Sequence, residues 1–167
     1  MPRLLLFLLL SWLGLVVPLS AAERAKVVAY VPNWIDLAAF ARTIDYARIT
    51  HLNVAFENPA DDRGELSFHP QNAGLIATAH ARGVMVLVSI GGGAASEDRR
   101  LRERYFGLLA DKRRAGFVGK LAAYVAAHGF DGLDVDLEGP AINADYGAFV
   151  HELSLASNQV KQSWGTM

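Results

Sequence analysis

Four short segments of the chain have the composition of β-strands, and each ends at residues that form turns. They lie within residues 26–31, 49–56, 84–90 and 130–139. Apolar residues at helical spacing follow within residues 70–82, 114–128 and 143–160, and a shorter, less regular stretch covers residues 37–46. This pattern predicts the element order βαβαβαβα.

The fourth strand is unusual because its polar positions are all acidic. Three carboxylates alternate with three aliphatic side chains, namely Asp134, Asp136 and Glu138 with Leu133, Val135 and Leu137. On an extended strand, alternate side chains share one face and lie about 6–7 Å apart. Since like charges repel and a desolvated carboxylate is costly, we expect the pKa of at least one of these acids to be raised. Such a group can donate a proton near neutral pH.

A half-exposed strand with its polar face in water would show the same alternation. Two observations weaken that interpretation. Outward-facing strand positions usually mix hydroxyl, basic and acidic residues, whereas this face is purely acidic. The strands also alternate with helices, which cover the outer face of such a sheet.

Strands connected through helices are parallel, and they form either an open doubly wound sheet or a barrel. An open sheet buries both faces against helices and needs apolar residues on both. The acidic strand does not provide them, whereas a barrel interior becomes polar at its carboxyl-terminal mouth. The predicted fold class is therefore α/β, of the (β/α)8 TIM-barrel type.

The first 22 residues resemble a secretory signal peptide. Arg3 precedes an apolar stretch of residues 4–17, and the small residues Ser20 and Ala22 suit a cleavage after Ala22. The apolar stretch is shorter than the roughly 20 residues that span a membrane, although an uncleaved anchor is the alternative. We therefore expect a secreted or periplasmic protein that has no membrane contact after cleavage. The absence of cysteine suits an exported protein.

Charge and histidine spacing exclude several function classes. The net charge is −1, and the one basic cluster, residues 99–104 with 112–114, is interleaved with acids. This cluster predicts a solvated helix face rather than a nucleic-acid site. The five histidines lack the spacing of metal ligands, so we expect structural or surface roles for them and neither metal nor cofactor; they are His51, His69, His80, His128 and His151.

Two motifs resemble those of glycoside hydrolase family 18, the chitinases and their relatives. Residues 131–138, Asp-Gly-Leu-Asp-Val-Asp-Leu-Glu, match the family's DGxDxDxE signature, and residues 89–92, Ser-Ile-Gly-Gly, match its SxGG motif. A Tyr in the first strand (Tyr30) and Ala55-Phe56 ending the second also fit. The resemblance extends from Lys26 to about Leu155 and implies a family 18 catalytic domain over residues 23–160.

The resemblance implies retaining hydrolysis in which the substrate's own 2-acetamido carbonyl is the nucleophile. Glu138 would protonate the glycosidic oxygen and then activate water. Asp136 would orient the acetamido group and stabilise its positive charge, while Asp134, deeper in the barrel, would share a proton with Asp136. Three acids so close are expected to titrate as a coupled set. The implied partner is chitin or an oligosaccharide that contains N-acetylglucosamine.

Further residues are candidates for substrate binding, and each has a structural alternative. Ser89, Gly91 and Gly92 either shape the floor beside the acids or form a turn. Tyr30 and Phe56 line the sugar site or pack in the core. Trp34, just after the first strand, is a candidate for stacking on a sugar ring.

Two departures from the family pattern leave the function open. Leu137 and Gly139 stand where many chitinases have aromatic residues, so glycosidases acting on N-glycans are an alternative substrate class. The barrel needs about 250 residues, whereas 167 residues supply four β/α units and a polar, irregular end at residues 161–167. A truncated barrel is therefore expected, and such a chain could also be a carbohydrate-binding chitinase-like protein or a nonfunctional fragment.

Overall fold

The computed structural model describes residues 25–164. The strands are β1 (Val28–Pro32), β2 (His51–Ala55), β3 (Met85–Gly91) and β4 (Gly132–Asp136). The helices are α1 (Leu37–Ala41), α2 (Asn72–His80), α3 (Gly93–Glu97), α4 (Arg99–Leu109), α5 (Asp111–His128) and α6 (Tyr146–Trp164). Short 3₁₀ turns cover Tyr46–Arg48 and Gly139–Ala141. The predicted alternation is confirmed, with three helices rather than one between β3 and β4.

The four strands form one sheet in the order β1-β2-β3-β4, and all adjacent pairs are parallel. A doubly wound sheet reverses its strand order at a switch point. Here the order simply follows the chain, as it does around a barrel. Among the described residues, the sheet therefore has the topology predicted from the acidic strand.

The two faces of the sheet differ in chemistry. The face covered by helices, here called the helix face, is apolar, and Val54, Val86, Val88 and Ile90 on it are completely buried. The opposite face, here called the site face, carries polar side chains at positions that alternate with these. Its polar residues are Tyr30, His51, Asn53, Ser89, Asp134 and Asp136. The sheet thus separates the packing core from the candidate chemistry.

The core consists of two apolar clusters on the helix face. One packs β1, β2 and β3 against α1 and α2 through residues such as Leu37 and Leu75. The other joins α4, α5 and α6, and the rings of Phe117 and Phe149 stack in it with centroids 5.9 Å apart. Helix α5 ends at Gly129, whose left-handed φ of 74° forms a glycine C-cap.

Two histidines confirm the expected structural role. The Nε2 atom of His80 lies 2.7 Å from a carboxylate oxygen of Asp131, and that same oxygen accepts a hydrogen bond from the backbone N of Val86. The ring of His128 stacks on Phe68 with centroids 3.9 Å apart. His80 braces the connection between α2 and β3, and His128 packs the end of α5 against the loop before α2.

The prediction of an irregular end at residues 161–167 is wrong for residues 161–164, because α6 continues to Trp164. Lys161 and Gln162 are good helix formers, and the first residue that disfavours a helix is Gly165. Residues 165–167 and the predicted signal peptide, residues 1–22, lie outside the described part of the chain. No helix within residues 25–164 is both long and apolar enough to cross a membrane.

The predicted solvated helix face is wrong for Arg104 and Arg114. Their side chains are only 12% and 9% exposed, whereas that of Arg99 is 82% exposed. Arg104 donates to the backbone carbonyl of Pro59, and so ties α4 to the loop that follows β2. Its partner lies far along the chain, so the local charge pattern does not reveal the contact.

Arg114 joins three helices. Its guanidinium donates to Glu152 Oε1 on α6 at 2.7 Å, to the carbonyl of Leu109 at the end of α4 at 3.1 Å, and to Asp111 Oδ1 at 2.8 Å. A buried arginine is stable only when its donors are satisfied. These three contacts give each guanidinium nitrogen a hydrogen-bond partner and fix α6 against α5.

We expect Arg114→Met to lower the free energy of unfolding by about 2 kcal/mol, because it leaves the buried Leu109 carbonyl without its donor and unpairs Glu152. Urea denaturation of the full chain measures the loss. Arg113→Met is the matched control, since this neighbouring arginine on α5 is exposed. Equal losses in the two variants would contradict the assigned role of Arg114.

Candidate active site

Because the four strands are parallel, their carboxyl ends meet at one edge of the sheet. The segments that leave this edge carry Trp34 after β1, Phe56 after β2, Gly92 after β3 and Glu138 after β4. All of them are candidates from the sequence. The fold therefore gathers at one edge what the sequence distributes over about a hundred residues.

The strand register orders the carboxylates from the interior to the edge. Asp134 on β4 lies opposite Ser89 on β3. Asp136, two residues nearer the carboxyl end of β4, lies opposite Gly91. Glu138 follows the end of β4, although its backbone stays extended at φ −142° and ψ 162°. The sequence predicts all three acids on one strand. In the structure Asp134 and Asp136 lie on β4, whereas Glu138 lies just beyond its end.

Asp134 is fixed by two hydroxyl groups, one from the adjacent strand β3 and one from β1 at the other end of the sheet. Its Oδ2 atom accepts hydrogen bonds from the Tyr30 hydroxyl at 2.9 Å and from the Ser89 hydroxyl at 2.7 Å. Ser89 is completely buried, while Tyr30 is 54% exposed. These two contacts fix the position of the Asp134 carboxylate on the site face.

Asp136 lies in a different environment. Burial raises its pKa, and the negative charges of Glu138 and Asp134 raise it further. The expectation that the acidic pattern raises the pKa of at least one member is therefore confirmed for Asp136. Burial and two like charges therefore both disfavour the ionised form of Asp136.

Glu138 is exposed at the edge of the sheet. Its backbone carbonyl accepts a hydrogen bond from the hydroxyl of Ser96 on α3 at 2.7 Å. The main chain is therefore held at this position while the carboxylate faces solvent. An exposed acid beside a partly buried one is an arrangement that can both give and take a proton.

The glycines after β3 are required by close packing. Gly91 has φ 102°, and a Cβ there would overlap the backbone carbonyl of Asp136. Gly92 has φ 72°, and a Cβ would lie 2.5 Å from the ring of Phe56. Since the backbone N of Gly92 also donates to the Asp136 carbonyl at 2.8 Å, the turn forms the floor beside the acids. The two interpretations from the sequence, turn and floor, describe one structure.

The three aromatic candidates differ in their surroundings. Tyr30 is bonded to Asp134 and is too exposed for the core-packing alternative. Phe56 is half-buried against Gly92. Trp34 is 68% exposed, and among the described residues no hydrogen bond joins it to the acids.

Sequence reasoning missed the polar support beneath the site. Glu57 is 1% exposed, and its carboxylate accepts hydrogen bonds from Asn33, Ser67 and Asn72 and from the backbone N of His69. Asn58 binds the backbone of Gly91, and Tyr105 binds Asn58. In the sequence, the Asn58-Pro59 pair indicated only a turn. The available signal for a support was the pair of polar residues, Glu57 and Asn58, that follows the second strand.

Comparisons with known proteins agree with this geometry. A family model described as glycosyl hydrolases family 18 matches residues 26–165. The chain is 34% identical over 103 residues to Chitinase D of Niallia circulans, an alignment that covers 58% of this chain. It is also similar to the solved GH18 chitinase ChiB from the chitin utilization locus of Flavobacterium johnsoniae, with a TM-score of 0.75 and 28% identity over 84% of this chain.

A second solved structure, the GH18 chitinase from Cycas revoluta in complex with (GlcNAc)3, has a TM-score of 0.69 and 26% identity over 84% of this chain. The chain spans 18% of the Niallia protein, 45% of the Flavobacterium structure and 43% of the Cycas structure. These matches confirm both the resemblance and the fold class, α/β of the TIM-barrel type.

We expect Asp136→Asn to raise the free energy of unfolding at pH 7 by less than about 1 kcal/mol, since the group is partly solvated. The folded-state pKa lies above the unfolded one. The contribution of Asp136 to stability is therefore fully present below the unfolded pKa and is lost as pH rises through the raised pKa. Denaturant unfolding across this window should show the gain at pH 7 and none in acid.

Asp61→Asn is the control, and its effect on the free energy of unfolding at pH 7 should have the opposite sign. Hydrogen bonds from Arg63 and from the backbone N of Glu65 lower the pKa of Asp61 to about 2. Its contribution is present above the unfolded pKa and is lost as pH falls towards 2, so this variant should be destabilised at pH 7. The same sign for both variants would refute the assigned difference in environment.

Proposed function

The chain belongs to glycosyl hydrolases family 18, and on that basis we propose that it hydrolyses β-1,4-linked N-acetylglucosamine polymers, either chitin or chitooligosaccharides. One observation carries the proposal. Three carboxylates follow one another from the interior to the edge of the sheet, and they lie in three environments: Asp134 is bonded by hydroxyls, Asp136 has a raised pKa and Glu138 is exposed. Acids placed in different environments can take different catalytic roles.

In the proposed reaction Glu138 gives its proton to the glycosidic oxygen as the bond to C1 breaks. The carbonyl oxygen of the substrate's 2-acetamido group attacks C1 and forms an oxazolinium ion. Glu138, now a carboxylate, removes a proton from water, which opens the ion and leaves the anomeric configuration retained. The substrate supplies the nucleophile, so the chemistry uses no cofactor.

The other two acids act on the acetamido group. Asp136 accepts a hydrogen bond from the acetamido N–H and so orients the acetamido carbonyl towards C1. It also stabilises the positive charge of the oxazolinium ring that forms. Its raised pKa suits a group that shares a proton with Asp134 and Glu138 during the cycle. Tyr30 and Ser89 hold Asp134 and thereby keep this pair in register.

The sugar is placed above the turn of Gly91 and Gly92. The absence of side chains there lets the turn pack directly against the Asp136 carbonyl and the Phe56 ring, which holds both beside the acids. Phe56 beside the turn and the exposed Trp34 offer apolar ring faces on which pyranose rings can stack. The Cycas revoluta chitinase, whose structure contains (GlcNAc)3, supports N-acetylglucosamine oligomers as the ligand class.

The proposal includes secretion, with removal of residues 1–22 and a mature chain that begins at Glu23. Sequencing the amino terminus of the protein recovered from the medium or the periplasm checks this. A retained Met1 in the exported protein would contradict it.

Glu138→Gln should reduce hydrolysis of chitooligosaccharides by about 10²- to 10⁴-fold, because the amide cannot donate the proton, while binding of the oligosaccharide is kept. The readouts are product formation by chromatography and binding by calorimetry. Glu103→Gln is the matched control, since this glutamate on α4 is exposed and remote in sequence from the motif. It should retain the activity of the wild type.

Substrate choice distinguishes chitin hydrolysis from the competing functions. Cello-oligosaccharides, which lack the acetamido group, should not be cleaved. Cleavage of N-glycan cores in preference to chitooligosaccharides would favour the substrate class suggested by Leu137 and Gly139. If the wild type and Glu138→Gln both bind chitooligosaccharides and neither cleaves them, the protein is a carbohydrate-binding relative and the proposed hydrolysis is wrong.

A further inference from the structure

The ladder between β2 and β3 ends unevenly. The last paired residues are Ala55 and Ser89, whereas β3 continues to Gly91. Alternate residues of β3 direct their backbone groups towards β2: Met85 N donates to the carbonyl of Thr50, and the carbonyl of Ser89 accepts from Glu57 N. Gly91 is the next residue in that series. Because β2 ends before it, no residue of β2 pairs with the backbone N–H and carbonyl of Gly91.

The side chain of Asn58 replaces the missing strand. Gly91 N donates to Asn58 Oδ1 at 2.7 Å, and Asn58 Nδ2 donates to the Gly91 carbonyl at 3.1 Å. A primary amide carries one acceptor and one donor side by side, so it pairs with a backbone residue as a strand would. The orientation of the amide is fixed by a third bond, from the Tyr105 hydroxyl to Oδ1 at 2.5 Å.

These bonds extend to the acids through the turn after β3. Gly91 packs so closely on the Asp136 carbonyl that a Cβ would overlap it, and Gly92 N donates to that same carbonyl. Helix α3 begins at the next residue, and its Ser96 holds the carbonyl of Glu138. A shift of Gly91 would therefore move the support of both Asp136 and Glu138.

We propose that Asn58 is a positioning residue for the reaction: together with Tyr105 it fixes the Gly91–Gly92 turn, and the turn fixes the main chain that carries Asp136 and Glu138. The inference rests on the proposed hydrolysis. Asn58 acts through the backbone of Gly91 and has no part in proton transfer. Loss of its bonds should therefore disturb the alignment of the acids more than the affinity for the sugar.

The test compares variants of the full chain with the wild type on chitooligosaccharides. Asn58→Ala removes all three bonds and should lower kcat about 10- to 100-fold, with KM changed by less than about threefold. Asn58→Asp keeps the acceptor but sets an oxygen against the Gly91 carbonyl, and it should also lower kcat. Tyr105→Phe removes one bond and should have a smaller effect of the same kind.

Tyr46→Phe is the matched control for Tyr105→Phe. It also removes a single phenol hydrogen bond, from the Tyr46 hydroxyl to the Ala41 carbonyl at 3.1 Å, and it should leave kcat unchanged. Should Asn58→Ala fail to fold, Asn58→Asp and Tyr105→Phe still test the inference. An equal loss of kcat in Tyr46→Phe and Tyr105→Phe would overturn it, because a general loss of stability would then explain both.

A second readout does not depend on activity. Hydrogen exchange of the Gly92 amide, followed by NMR, should become at least about tenfold faster in Asn58→Ala than in the wild type, while amides in the middle of β3 keep their rates. If the wild type cleaves nothing and Gly92 exchange still responds, the proposed hydrolysis is wrong, and only the support of the Gly91–Gly92 turn by Asn58 stands. If Gly92 exchange and kcat are both unchanged in Asn58→Ala, the positioning role is wrong.

Discussion

The parallel register of β3 and β4 is the constraint on which the site depends. It places Ser89 beside Asp134 and Gly91 beside Asp136. A slip of one residue would turn the acids to the helix face, among the buried Val88 and Ile90. Charged groups there would have no partners, so burial of the apolar face holds the acids on the opposite one. The same packing that stabilises the fold thus also sets the order of the carboxylates.

Once the register is set, the neighbours of each acid decide its chemistry. The hydroxyls of Tyr30 on β1 and Ser89 on β3 both donate to one oxygen of Asp134. Asp136 stands between two other negative charges, and its pKa is raised. Of the three acids, Glu138 is exposed to solvent while Asp134 and Asp136 are half-buried. The three carboxyl groups are chemically alike, but their different surroundings give each of them different properties.

Much of this architecture could be predicted from local patterns. The alternation of strand and helix signals gave the four parallel strands, and the acidic strand indicated a polar site face because three carboxylates cannot pack against helices. The contacts of Arg114 with Glu152 and of Arg104 with Pro59 join residues about forty positions apart. No local pattern encodes such pairs, and exposed and buried arginines look alike in the sequence. Residues 161–164 are helical despite their polar composition, because α6 continues to Trp164 and polar residues such as Lys161 and Gln162 are good helix formers.

The residues after β2 were missed for a more instructive reason. Polar residues after a strand usually face water, but Glu57 is buried and Asn58 binds the backbone of Gly91. A polar group that is buried and bonded confines a loop strongly, because any displacement leaves donors and acceptors unsatisfied at a cost of about 1–3 kcal/mol each. Apolar packing tolerates small shifts without such a penalty. A rigid support under the acids therefore calls for polar side chains at these two positions, which makes the loop after β2 a structural extension of the sheet.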